Sequence, residues 1–236
     1  MGVLTLFKNM NNSFKISLLL SSKVWRYARW PLAAILLLFI GLIIYRVPAV
    51  MEQRRTDEQI VKIRATKLTL DDVMGVNLPP SPDPALVDAT VAGIDANQNG
   101  IRDDVELAIF EAYPDSAKTR AALLQYALVR QMELTQELVN SGTVTTVAEQ
   151  DARANDCLGN LVVFFLVPSP TDSVPSGVVA ERIEKIDTLK EFINSEQFNT
   201  PTREKAQKDF YRGNLRSYGT PTDEPVCDID PSSLPD

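Results

Sequence analysis

The 236-residue chain contains no histidine. That absence removes the commonest general base, the commonest metal ligand and the usual switch near neutral pH. Ser-His-Asp and Cys-His catalysis are excluded, as are zinc and iron sites built on imidazole. Cysteine is nearly absent too, with only Cys157 and Cys227. Without a histidine to activate it, neither thiol reads as a catalytic nucleophile. Acid is missing from one region: residues 1–51 carry Lys8, Lys15, Lys23, Arg26, Arg29 and Arg46 and no Asp or Glu. No internal repeat is visible.

The charge that is present lies downstream. Beyond residue 51 the chain holds 18 basic and 31 acidic side chains, a net of -13 against -7 for the whole. An acidic body repels phosphate backbones, which argues against nucleic acid and for cations or a basic protein partner. Hydrophobic residues make up 44% of the chain, enough for a packed core.

From Trp30 to Tyr45 no charge interrupts an apolar run. Counting from Tyr27 to Val50, with Arg29 and Arg46 reaching outward along their stems, gives the roughly 20 residues a membrane span needs. Trp25, Tyr27, Trp30 and Tyr45 stand where interfacial aromatics belong. The basic residues before the run put the N-terminus in the cytoplasm by the positive-inside rule, with the body across a bacterial inner membrane, periplasmic or extracellular. The alternative is a cleaved signal, since Val47-Pro48-Ala49 resembles a small-residue cleavage site. Met10 is a second possible start, and Leu6 removes a myristoylation signal at Gly2. In an oxidising compartment Cys157 and Cys227 read as a disulfide.

The fold expected is mainly α: a transmembrane helix, then a small domain of about five helices with one calcium loop. Residues 1–29 are expected as a basic cytoplasmic segment and 30–50 as the membrane anchor. Residues 51–84 are expected as a stalk and Pro-rich linker, because Leu78 to Pro84 holds four prolines. Residues 85–236 then form the extracytoplasmic helical domain. Apolar spacing predicts a first helix from Arg102 to Tyr113 and a second from about Ser116 to Val139, ended by Asn140-Ser141-Gly142. Thr146 to Glu149 reads as a capping box that starts a third, running to about Leu166 with Leu158, Leu161, Val162 and Phe165 as its apolar cluster. Pro168 to Ser176 is expected as a loop. Gly177 opens a fourth, with Val179, Ile183, Ile186, Leu189 and Ile193 on one face, and Pro201 begins a fifth.

The motif that carries chemistry is Asp95-Ala96-Asn97-Gln98-Asn99-Gly100-Ile101-Arg102-Asp103-Asp104-Val105-Glu106. It has Asp, then Asn at the third and fifth positions, Gly at the sixth and Glu at the twelfth. Calcium takes six to eight oxygens in a flexible shell. Alternate positions of a curled loop point inward, so Asp95, Asn97 and Asn99 offer side-chain oxygens and Ile101 its carbonyl. Asp103 acts directly or through water, and Glu106 closes the shell from the first turn of the following helix.

This loop resembles an EF-hand, although Arg102 stands at the eighth position, where EF-hands carry an apolar residue that pairs with a second loop. No second loop follows; Asp228-Ile229-Asp230 runs into Pro231. Gly100-Ile101-Arg102-Asp103 is closer to the single Asp-rich loops of bacterial secreted proteins, such as that of anthrax protective antigen, and to thrombospondin type 3 repeats. The resemblance covers these twelve residues and implies the same ligand set. With three acidic ligands the affinity expected is modest, and the role structural rather than sensory.

Three functional classes fit. One is a membrane-anchored, noncatalytic, calcium-stabilised module that engages a protein. Another is a carboxylate-based hydrolase of cell-envelope glycans, for which Glu111, Asp115, Glu149 and Asp151 are candidates. The last is an antagonist of a secreted toxin, meeting a basic partner with its acidic face.

Overall fold

A computed structural model describes residues 22–166, 176–213 and 218–235. The basic segment through residue 21 (with Gly2, Met10 and Lys15), the loop residues 167–175 and the Phe165 side chain lie outside the described residues. Among those described there are eight α-helices and no strand: α1 (Ser22–Ala65), α2 (Leu70–Met74), α3 (Pro84–Val87), α4 (Asp103–Ala112), α5 (Ala117–Thr135), α6 (Ser141–Leu166), α7 (Ser176–Gln197) and α8 (Pro201–Tyr211). The short α2 and α3 take the count beyond the anchor and roughly five helices expected. The chain divides into two compact units, Met1–Arg54 and Arg55–Asp236.

In the first unit α1 is long and apolar enough to cross a membrane, with a mean hydropathy of 2.3. Its large apolar side chains, from Trp25 through Met51, are exposed. Pro31 and Pro48 lie inside it. Each removes one main-chain hydrogen bond, a loss that membrane helices tolerate when neighbouring groups take up the freed carbonyls.

The second unit is built around α5, whose residues from Ala117 to Glu133 are all buried. A helix enclosed on every side must bury its polar residues with partners, and α5 does so for Gln125, Arg130, Gln131 and Glu133. Its apolar residues Leu123, Leu124, Ala127 and Leu128 meet Val105 and Ile109 of α4, Val144, Val147 and Leu158 of α6, Leu189 and Ile193 of α7, and Phe210 of α8 in one core.

The stalk expected over 51–84 is not one from residue 55 onward. Ile63 and Val73 are fully buried, Leu68 is nearly so, and all three belong to the core. Charged flanks hid this, because the buried residues are few and widely spaced. The Pro-rich stretch is also not a plain linker: Asp83 caps α3 by accepting from the Ala85 N–H at 2.9 Å, and Pro84 takes the first helical position.

Two helix boundaries differ from expectation. The second expected helix stops at Thr135, and α6 begins at Ser141 rather than Thr146. Asn140 Oδ1 accepts from the Gly142 N–H at 2.9 Å, while its Nδ2 donates to Thr56 Oγ1 at 2.7 Å. A cap six residues upstream wins, and Thr146 is left inside the helix donating to the Gly142 carbonyl. On α7 only the C-terminal half of the predicted apolar face is covered: Leu189 and Ile193 are buried, whereas Val179 and Ile183 are exposed. Thr200 caps α8 and Pro201 follows, as its sequence indicates.

Cys157 on α6 and Cys227 form a disulfide, with Cα atoms 5.1 Å apart. Around it the C-terminal tail is tied down by polar contacts. Gln125 donates to the Val226 carbonyl at 3.0 Å and accepts from the Asp228 N–H at 2.8 Å. Arg153 donates to the Pro225 carbonyl at 2.9 Å and pairs with Asp228 at 2.7 Å. The Leu68 N–H reaches the other Asp228 oxygen at 3.2 Å.

Candidate metal centre

The loop from Asp95 to Glu106 is shaped by its own short polar side chains. Asp95, Asn97 and Asn99 are half-buried, and the intervening Ala96 and Gln98 are exposed, as alternation requires. The Asp95 carboxylate accepts from the N–H groups of Asn99 (3.2 Å) and Gly100 (3.0 Å). Asn97 Oδ1 accepts from Asn99 N–H at 3.4 Å, and Asn99 Oδ1 from Ile101 N–H at 2.9 Å. Gly100 has φ +87°, and a Cβ there would sit 2.8 Å from Leu128 Cδ1, so the turn needs glycine. Gln98 also adopts the left-handed region at φ 59°, which the sequence did not announce.

The loop leads into α4. The Asp103 N–H donates to the Ile94 carbonyl at 2.8 Å, and its carboxylate accepts from Ala96 N–H at 2.9 Å, which closes the loop's neck. Glu106 Oε2 accepts from Asn97 Nδ2 at 3.0 Å, and the same amide donates to the Asn77 carbonyl at 3.0 Å. Ile101 is fully buried in the core. The structure therefore puts Asp95, Asn97, Asn99 and Ile101 in the loop and Asp103 and Glu106 in the first turn of α4, and it pairs Asn97 with Glu106. It does not draw the acids onto one point: among the described residues, no three His, Cys, Asp or Glu side chains form a group that could hold a metal ion. Only Asp95, Asp103 and Glu106 of the six are of those types.

The electrostatics are unusual. Asp103 and Glu106 are each only 1% exposed. Burial pushes the Asp103 carboxyl above its ordinary range; the Ala96 N–H opposes this, and the nearby Asp95 and Asp104 charges add to it. Burial likewise raises Glu106 to about 7, against the Asn97 and Asn99 amides and with the help of Asp72 and Asp103. Among the described residues, no cationic side chain is a cause of either shift. Buried carboxylates without a cation are costly, and such groups mark functional sites more often than ordinary surface acids do.

Buried arginines brace the loop from outside, and none was foreseen. Arg102, at the eighth loop position, is 0% exposed. Its Nε and Nη2 grip Asp104 at 2.5 and 2.9 Å. Its Nη1 and Nη2 donate to the Gln197 and Glu196 carbonyls at 3.1 and 2.6 Å, satisfying orphan groups at the end of α7. Gly93, at φ +69°, leaves room for this: a Cβ there would lie 2.2 Å from Arg102 Cδ. Arg203 on α8 holds the preceding turn, donating to the carbonyls of Val87, Thr90 and Val91 at 2.6, 3.2 and 3.1 Å, and to Asp88 at 2.6 Å. Gln131 on α5 completes the frame by donating to the Ala92 carbonyl at 2.7 Å. The departure of Arg102 from the EF-hand pattern was the one available signal.

The carboxylates considered for hydrolysis stand differently. Glu149 pairs with Arg64 at 3.3 Å, and Asp151 is held by Arg130 and by Asn155 Nδ2. Glu111 and Asp115 are exposed. Another polar cluster joins α5 to α8: Glu133, nearly fully buried, accepts from Tyr211 Oη at 2.7 Å and Gln207 Nε2 at 3.0 Å, and pairs with Arg130 at 2.7 Å. No protein-family model, curated protein or solved structure matches the chain.

Proposed function

We propose that residues 55–236 form a noncatalytic, calcium-stabilised protein-interaction module, held by α1 as a single-pass protein of the bacterial inner membrane. In this reading the N-terminus is cytoplasmic and the body is periplasmic or extracellular. The basic, acid-free flank before the apolar run supports that orientation. The disulfide supports an oxidising compartment.

The observation that carries the calcium reading is the pair of carboxylates, Asp103 and Glu106, buried with no cationic side chain among the described residues acting on them. The donor types fit a hard cation: Asp95, Asn97, Asn99, the Ile101 carbonyl, Asp103 and Glu106 supply oxygen alone. Bound there, calcium would supply the missing positive charge and fasten the neck of the loop to α4. Three acidic ligands suit an affinity of about 10⁻⁴ to 10⁻³ M, typical of extracellular modules.

The test is calorimetric melting of the full chain in a nonionic detergent, with calcium and with chelator. Calcium at about ten times its dissociation constant should stabilise the fold by roughly 1.4 kcal/mol and raise the melting temperature by a few degrees. An Asp95→Ala variant should show no such rise. An unshifted wild-type melt, or an equal shift in the variant, would sink the calcium reading.

A further inference from the structure

From Leu68 to Ile101 the chain has no lysine or arginine, yet it carries Asp71, Asp72, Asp83, Asp88 and Asp95. The next two basic residues, Arg102 and Lys118, are buried. The same stretch exposes Leu70, Met74, Val76, Leu78 and Leu86, half of the ten large apolar side chains left exposed in the second unit among the described residues.

Apart from those five side chains, none of which lines it, a groove of about 410 Å³ lies between the Pro-rich segment and α4. Pro82, Pro84, Val87, Leu107 and Ala108 give it apolar walls, and Asp88, Asp104 and Glu111 stand at its rim. The three acids are not equivalent. Asp104 turns both oxygens onto Arg102. Asp88 shares Arg203 but its side chain stays 54% exposed. Glu111 is exposed, and no described residue pairs with it. Proline walls have fixed φ and lack N–H groups, so the groove favours inserted side chains over an added strand. Its volume lies within the roughly 300–1,000 Å³ of ligand pockets.

We infer that this groove docks a short basic segment of a partner protein, with an aliphatic side chain seated between Pro84 and Leu107 and a lysine or arginine beside it paired with Glu111. Charge complementarity selects this occupant. An anionic lipid surface would meet an acidic rim and no exposed cation between residues 68 and 101. The inference rests on the interaction-module reading and names its docking surface, but it does not require calcium.

The probe is a capped, dye-labelled Arg-Leu-Pro-Leu-Arg peptide, titrated by fluorescence anisotropy against the full chain in nonionic detergent. A Glu-Leu-Pro-Leu-Glu peptide is its control. The arginine peptide should bind saturably, more weakly at high salt, and the glutamate peptide should not. Glu111→Lys reverses the unpaired rim charge at the last turn of α4, where a cation suits the helix end, and should weaken binding about tenfold. Glu184→Lys, an equally exposed change on α7, should leave binding unaltered. The groove is refuted if the arginine peptide fails to saturate, or if the two variants behave alike. Running the titration with calcium and with chelator separates the two readings: binding that follows Glu111 without any calcium-dependent melt overturns the ion alone. A calcium-dependent melt with binding indifferent to Glu111 overturns the groove alone.

Discussion

The loop region, residues 87–106, and the C-terminal tail, residues 218–235, are both irregular and both seated on α5 through a buried glutamine and an arginine from another helix. At the tail Gln125 and Arg153 do this, and at the loop Gln131 and Arg203. They differ in how charge is balanced. In the tail Arg153 meets Asp228, and both side chains are at most 2% exposed. The disulfide then makes the attachment permanent. At the loop the arginines take carbonyls and the partly exposed Asp88 and Asp104, while no cationic side chain among the described residues acts on the buried Asp103 and Glu106. The tail's buried acid has its cation among the described residues; the loop's two do not.

The largest effect should come from the covalent tie. Replacing Cys157 and Cys227 together by Ser should lower unfolding stability by about 4 kcal/mol in denaturant melts, on the loop-entropy account for a 70-residue separation. Amide protection should fall in the tail and hold in the Asp95–Glu106 loop. Protection lost equally in both would mean that they are one unit.

Next come the arginines. Arg153→Met leaves Asp228 buried without its closest cation and should cost about 3 kcal/mol. Arg203→Met strands carbonyls but leaves Asp88 open to water, and should cost nearer 2 kcal/mol. Chemical denaturation of both variants checks the order, and a reversed order would break the contrast drawn between the two regions.

The smallest effect is in pH. In chelator, folding raises Glu106 from its ordinary 4.5 to about 7. Between those values the folded chain holds a proton that the unfolded chain has released, so stability falls as pH rises through that window and levels off above it. After discounting for relaxation and water entry at the buried site the loss is about 1 to 2 kcal/mol. Melts of wild type and Glu106→Gln across this range test it; the variant should reduce the slope, and what remains is that of Asp103, which burial also raises.

What could be read in advance follows a physical line. Local signals were legible: Pro201 after the cap Thr200, and Gly100 at the bend of its loop. Contacts between distant residues were not, apart from the pairing of the two cysteines, 70 residues apart, for which no third cysteine competes. Arg102, Arg153 and Arg203 are among the largest fully buried side chains, and each reads as solvated surface when only its neighbours in sequence are seen. Besides near neighbours, each reaches acceptors about 70 to 115 residues away. The packing of Thr56 and Ile63 was hidden for the same reason, since the Asn140 that holds Thr56 is 84 positions distant. Asn140 also displaced the expected start of α6, because a capping box at Thr146 is a local optimum that tertiary contact overrode.

The Cys157–Cys227 bond has a topological meaning as well. It turns the stretch holding α7 and α8 into a ring suspended from α6. A single cut in an open chain yields two molecules; a single cut in a ring only relocates the ends. Arg102 grips that ring at the Gln197 carbonyl, and Arg203 reaches out of it from α8 to the turn before the loop, so one scission within it would leave the residues that frame the loop on the same covalent body.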